Sequence, residues 1–126
     1  MGSLYIERQD LWRIVAPTEV GPQRHGTGGE VAIWESDDQG RRWRKVRQVT
    51  RDSERNHGYV RRALTPHPDF YAFWADGNPD ELSISRLYFT DRDGARVWRM
   101  PASMDAPSAK PELYRENSSR GDGAER

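Results

Sequence analysis

The chain has 126 residues, the length of one domain; 34% are hydrophobic, 32% are charged, and 20 basic side chains cancel 20 acidic ones. Zero net charge argues against a nucleic-acid binder, which carries a basic footprint. The absence of cysteine excludes a disulfide framework, a thiolate zinc site and a cysteine nucleophile. No apolar run reaches the roughly 18 residues of a membrane-spanning helix, so no membrane partner is expected. The opening "MGSLYIERQD" lacks the apolar centre of a signal peptide. Localisation stays open, with a secreted or periplasmic setting allowed if further residues precede Met1.

In chain order, short runs rich in aromatic and β-branched residues alternate with clusters of Gly, Pro and Asp, the punctuation of β-hairpins. The runs "SLYIER" (3–8) and "LWRIVAP" (11–17) form a first predicted pair. The runs "GEVAIWES" (29–36) and "RRWRKVRQVT" (41–50) form a second, joined through "DDQG". Then follow "GYVRRAL" (58–64), "FYAFWAD" (70–76), "SRLYFTD" (85–91) and "ARVWRMP" (95–101). No segment sustains a helical period, so the expected class is all-β. From Ala102 onward the chain is polar, with Pro, Ser and Gly, and residues 102–126 read as a disordered tail. In such a tail the sequon at Asn117 and the "RGD" at Arg120–Asp122 are cheap coincidences.

The eight predicted strands fall into two groups of four, and the groups repeat. "EVAIWESDDQGRRWRKV" aligns with "SRLYFTDRDGARVWRMP": an aromatic strand, a hydroxyl residue, an Asp-rich turn ending in Gly, then a strand with Trp. Gly40 and Gly94 stand 54 apart. A four-stranded unit of that length is the size of a β-propeller blade. The expected organisation is a blade in residues 1–50, a blade in 51–101 and the tail. Two blades cannot close a ring of four to eight, so missing blades or self-association are expected to cover the open edges.

The turn "SDDQGRRW" explains itself chemically. Gly40 can take the positive φ that a Cβ resists, while Asp38 and Ser36 accept hydrogen bonds from nearby backbone N–H groups. Trp43 is expected to point into the gap between sheets, where such a ring removes about 150–250 Å² from water. The spacing S-x-D-x-G-x-x-W resembles the Asp-box, or BNR repeat, with Ser36, Asp38, Gly40 and Trp43 in its four positions. The second copy is degenerate: Thr90 and Gly94 fit, Arg92 stands where Asp is expected, and Trp98 falls one residue late. Over residues 3–101 the chain resembles the C-terminal part of bacterial BNR repeat-containing proteins. These are sialidase-superfamily propellers linked to neuraminidase activity or polysaccharide degradation. That resemblance implies a carbohydrate-active propeller, with the Asp-box on the outer hairpin and architectural in role.

Candidate chemistry centres on "NHGYVRRA". Strand alternation puts His57, Tyr59 and Arg61 on one face and Gly58, Val60 and Arg62 on the other. The family resemblance implies an acidic sugar whose carboxylate is held by arginine. Tyr serves as nucleophile in the sialidase case, and Tyr or His moves protons in the lyase case. Arg62 and Glu30 are the candidate binding residues beside that catalytic set. The plainer reading is that Arg61 and Arg62 pair with carboxylates and Tyr59 packs between strands. Asp76 and Asp80 read as turn formers around Gly77 and Pro79. His25 and His67 lie in separate loops without metal-ligand spacing, so neither a metal nor another cofactor is expected. Three functions stay in play: a sialidase-like hydrolase or polysaccharide lyase acting on an acidic glycan, a non-catalytic glycan-binding module, and an inactive remnant.

Overall fold

The computed structural model describes residues 2–26 and 28–117. Among them are nine strands and no helix: β1 (Ser3–Arg8), β2 (Leu11–Glu19), β3 (Glu30–Ser36), β4 (Arg44–Gln48), β5 (Asn56–His67), β6 (Phe70–Gly77), β7 (Leu87–Thr90), β8 (Arg96–Arg99) and β9 (Glu112–Glu116). They form two antiparallel sheets in sequential order, β1 to β4 and β5 to β9, and neither sheet closes on itself. The all-β class is therefore as expected, and every predicted run contains a strand.

The region from Ala102 departs from expectation. It supplies β9, which pairs with β8 and makes the second sheet five-stranded. Charge hid it. Glu112 and Glu116 read as solvated polar residues, yet they pair with Arg99 and Arg96 on the neighbouring strand. Between them Tyr114 sets its ring edge-on to Tyr88 at 5.0 Å and under the Arg99 guanidinium at 4.9 Å. Asn117, read as a sequon in a tail, is 7% exposed, and its side-chain amide donates to the carbonyls of Val49 (3.1 Å) and Gly94 (2.7 Å). The RGD tripeptide, with Ser118 and Ser119, lies outside the described residues.

Alternation decides which side chains meet between the sheets. On the first sheet the row Tyr5, Arg13, Glu35 and the row Ser3, Val15, Ile33 face the second sheet. The core joins Tyr5, Val15, Val31, Ile33 and Val49 with Val60, Tyr71, Trp74, Tyr88 and Val97. Tyr5 stacks on Tyr71 at 4.1 Å and donates its hydroxyl hydrogen to the Tyr71 carbonyl at 2.8 Å. Arg13 is 2% exposed, a buried charge that must be answered. Its Nε donates to Glu35 at 2.9 Å, its Nη1 to the Arg92 carbonyl at 3.0 Å, and its guanidinium lies 5.2 Å from the Tyr71 ring centre.

Both repeat turns close by side chain to backbone bonds. Ser36 Oγ donates to Asp38 at 2.9 Å and accepts from the Gly40 N–H at 2.9 Å; Asp38 in turn accepts from the Arg42 N–H. The Arg42 side chain also bonds Asp38, and these bonds hold its carboxyl well below the ordinary range. Gly40 takes φ 87°, as expected. Trp43 differs from expectation: it is half-buried and donates its Nε1–H to the Gly40 carbonyl at 3.0 Å. Instead of entering the gap between sheets, it folds over its own turn, because that carbonyl offers its indole N–H a nearer partner. In the second turn the carboxylate comes from Asp91, whose Oδ1 accepts from the Ala95 N–H at 2.8 Å, while Thr90 donates to the Arg96 carbonyl. Asp91 thus supplies the carboxylate that the spacing lacks at Arg92.

Candidate functional site

Strand β5 starts where the sheets are stitched together: Gly29 and His57 exchange both backbone hydrogen bonds, at 2.9 and 2.8 Å. Two residues later Tyr59 adopts φ 58°, a left-handed conformation that a tyrosine resists, and the pairing with β6 slips between Gly58 and Arg61. The slip shifts the alternation by one residue. His57 (1% exposed) and Val60 (0%), three apart, therefore both face the core, while Tyr59 is 57% exposed. The expected common face of His57, Tyr59 and Arg61 does not form. The structure brings Tyr59 and Arg61 together outside, with the guanidinium 6.0 Å from the ring centre, and puts His57 inside. Arg62 turns the other way, 5.1 Å over the Tyr5 ring, and donates to the Leu4 carbonyl.

A cleft of about 460 Å³ opens beside this strand, lined by Gly26, Gly28, Asn56, His57, Tyr59, Asp76, Asn78, Pro79 and Ser85 among others. His57 forms part of its wall, and the hydrogen bonds of that imidazole fix its tautomer. Trp74 Nε1–H can only donate, and it reaches His57 Nδ1 at 2.9 Å. Nδ1 is therefore an acceptor, and Nε2 carries the proton toward Ser53 Oγ at 3.0 Å. Ser53 Oγ donates onward to Glu30 at 2.7 Å, and Glu30 also accepts from Thr50 Oγ1 at 2.6 Å and the Ser53 N–H at 2.9 Å. Burial lowers the pKa of His57, and the nearby Arg55 adds to this; Asp76 and Glu30 pull the other way without prevailing. Burial and the Trp74 bond to Nδ1 both favour the neutral imidazole.

Sequence reasoning chose Glu30 and His57, and the structure links them through Ser53, which it had passed over. Nothing in "TRDSERNHG" marks that serine, since the link depends on a turn folding back under the start of β3. The order is not that of a nucleophilic triad. There, histidine lies between serine and carboxylate and takes the serine proton; here serine lies between, and the histidine nitrogen facing it already carries hydrogen. Glu30 fronts a second cleft, of about 730 Å³, with Glu19, Lys45, Gln48 and Arg51 on its walls.

Asp76 proves to be no turn former. It lies near the end of β6, 6% exposed, and accepts from Tyr88 Oη and the Arg86 N–H, both at 2.8 Å, with Arg55 Nε 3.4 Å away. Asp80 stays in its loop and meets His25 at 2.8 Å, and His67 Nδ1 accepts from the Asp69 N–H. Among the described residues no three His, Asp or Glu side chains gather to hold a metal ion.

A second constellation spans the sheets at β1 and β6. Tyr71 donates its hydroxyl hydrogen to Glu7, and Arg92 reaches the same carboxylate at 2.7 Å. Burial and the Glu7 bond push the Tyr71 phenol up to about 12. Burial also raises Glu7, but the bonds from Arg92 and Tyr71 outweigh it and bring that carboxyl below its ordinary value. This is a clasp of a protonated phenol and a paired carboxylate. Its members lie 64 positions apart, so no local spacing could have announced it. Comparison with family models, with curated proteins and with solved structures gives no match for this chain.

Proposed function

We propose that this chain is part of a sialidase-like propeller that binds carbohydrate, and that the cleft beside Tyr59 receives an acidic glycan without transforming it. Two stacked antiparallel sheets, each with a self-closing Ser/Thr–Asp–Gly turn, support the propeller part of the reading. Tyr59 carries the binding part. A large aromatic ring is held out at 57% exposure by a left-handed backbone, with a guanidinium over the ring and a cleft beside it. Strain of about 1–3 kcal/mol survives in folded proteins mainly where function uses it. A pyranose offers C–H groups to the ring, its hydroxyls suit the Asn78 and Ser85 side of the cleft, and Arg61 suits a carboxylate or sulfate.

Binding is favoured over catalysis because the acid–base groups near the cleft are already engaged. Both His57 nitrogens are bonded, and each Asp76 carboxylate oxygen already accepts a hydrogen bond. The test is affinity electrophoresis through gels holding a uronate-containing or a neutral polysaccharide. Wild type is expected to be retarded most by the acidic polymer. Tyr59→Gly, which suits the local backbone, removes retardation in both gels, and Arg61→Ala removes only the acidic preference. Unchanged mobility of both variants relative to wild type would exclude this cleft. The hydrolase or lyase reading would need the one unprotonated nitrogen of His57, Nδ1, released from the Trp74 N–H so that it could take a proton. Release of reducing ends or unsaturated uronates, lost in His57→Gln, would favour it.

A further inference from the structure

Among the described residues, each sheet buries one face against the other and leaves its second face open. On the first sheet, direct cross-strand pairs put Leu4, Ile14 and Trp34 in one row and Ile6 with Trp12 in the next. On the second, Phe73, Phe89, Trp98 and Leu113 form one row across four strands, with Phe70 stacked on Phe89 at 4.7 Å. Leu4, Ile6, Phe70, Leu87 and Leu113 are exposed, and the tryptophans are half-buried. Apolar side chains gathered on an open sheet face mark a contact surface.

The internal repeat says what covers these faces. Ser36 pairs with Trp12, and its counterpart Thr90 pairs with Ala72, so Trp12 corresponds to Ala72. By the same register Ile14 corresponds to Trp74, and Trp34 to Tyr88. Ala72, Trp74 and Tyr88 belong to the core that the second sheet shares with the first. In the opposite direction, Ile33 and Glu35, which face the second sheet, correspond to Leu87 and Phe89, which face out. The open face of the first sheet is thus the counterpart of the face that the second sheet buries. The open face of the second sheet is the counterpart of the face that the first sheet buries. The two open faces are built as partners of each other, not of themselves, and within one chain they point in opposite directions.

We infer that the open face of the second sheet docks on the open face of the first sheet of a second copy, head to tail, repeating the interface found inside the chain. Such an interface is heterologous: it closes into a ring if the rotation allows and otherwise extends. The inference does not rest on glycan binding.

Light scattering after size exclusion tests it with the full chain. Ile6→Glu charges one face and Leu87→Glu the other, at positions exposed enough (58% and 56%) to leave the core alone. Wild type is expected to run at a multiple of the chain mass and each variant alone as a monomer. An equal mixture of the two forms a dimer and nothing larger, since each partner still has one good face. Circular dichroism checks that the variants stay folded, and Leu4→Lys or Leu113→Lys replaces one that does not. A wild type that stays monomeric up to its solubility limit overturns the inference. So does a single variant that still dimerises, which would mean that a face pairs with itself, or a mixture that stays monomeric.

Discussion

His57 shows how much one buried ring can govern. Its Nδ1 takes the Trp74 N–H, its Nε2–H goes to Ser53, and the core around it disfavours a second proton. In the unfolded chain the imidazole titrates near its ordinary 6.5; in the fold it does so at a lower pH. Above that ordinary value both states are neutral, and the fold keeps its full stability. As pH falls from about 6.5 toward the folded value the unfolded chain takes the proton first, so stability declines and then levels off. Urea midpoints measured between about pH 7 and about pH 5 are expected to fall for wild type and to flatten for His57→Gln. Equal slopes would remove His57 as the cause. Glu7 and Glu112, whose pKa values are lowered from 4.5, act in a separate and more acid window. The residue types of this site were readable in "NHGYVRRA", but their sides were not. A period of two assumes an unbroken strand, and the left-handed Tyr59 breaks it.

Among the elements, the two repeat turns were the most legible, because a turn is local chemistry. A hydroxyl, a carboxylate and a glycine within a few residues satisfy one another without help from the rest of the chain. What the turns touch was not legible. At Gly94 (φ 69°) an added Cβ would come within 2.9 Å of Ile33 Cδ1 and 3.0 Å of Arg47 Cγ and Val49 Cγ2, on the other sheet. At Gly40 (φ 87°) the nearest atoms it would meet belong to the Trp12 and Trp43 rings, at 3.1 Å or more. Both Gly→Ala changes are expected to cost about 1–3 kcal/mol of backbone strain. Gly94→Ala costs more, because a sheet contact must also give way. Chemical denaturation of the two variants side by side checks the order, and an equal loss would mean that the contact yields freely. Strand β9 was missed for the opposite reason. Its charges looked solvated in sequence and became paired only when β8 supplied the arginines.

At the scale of the molecule, stability depends on side chains that bridge the sheets. Tyr5 on Tyr71, Arg92 on Glu7 and Arg13 on the Arg92 carbonyl bind one side of the seam. Asn117 binds another, donating from a single amide to carbonyls of both sheets' surroundings, Val49 and Gly94. Asn117→Ala leaves two buried acceptors without their donor and is expected to cost about 1–3 kcal/mol, read as a lower urea midpoint. A residue in a disordered tail would show no change, so the same measurement tests whether the chain is folded through Asn117 in solution. By itself the sequence determined the all-β class, the hairpin turns and the repeat, since these follow from alternation and short-range hydrogen bonding. Only the tertiary structure decided that His57 lies inside and Tyr59 outside, that Ser53 joins His57 to Glu30, and that residues 112–116 complete a sheet. Those outcomes depend on partners distant along the chain and on one residue held against its backbone preference, and neither leaves a local pattern to read.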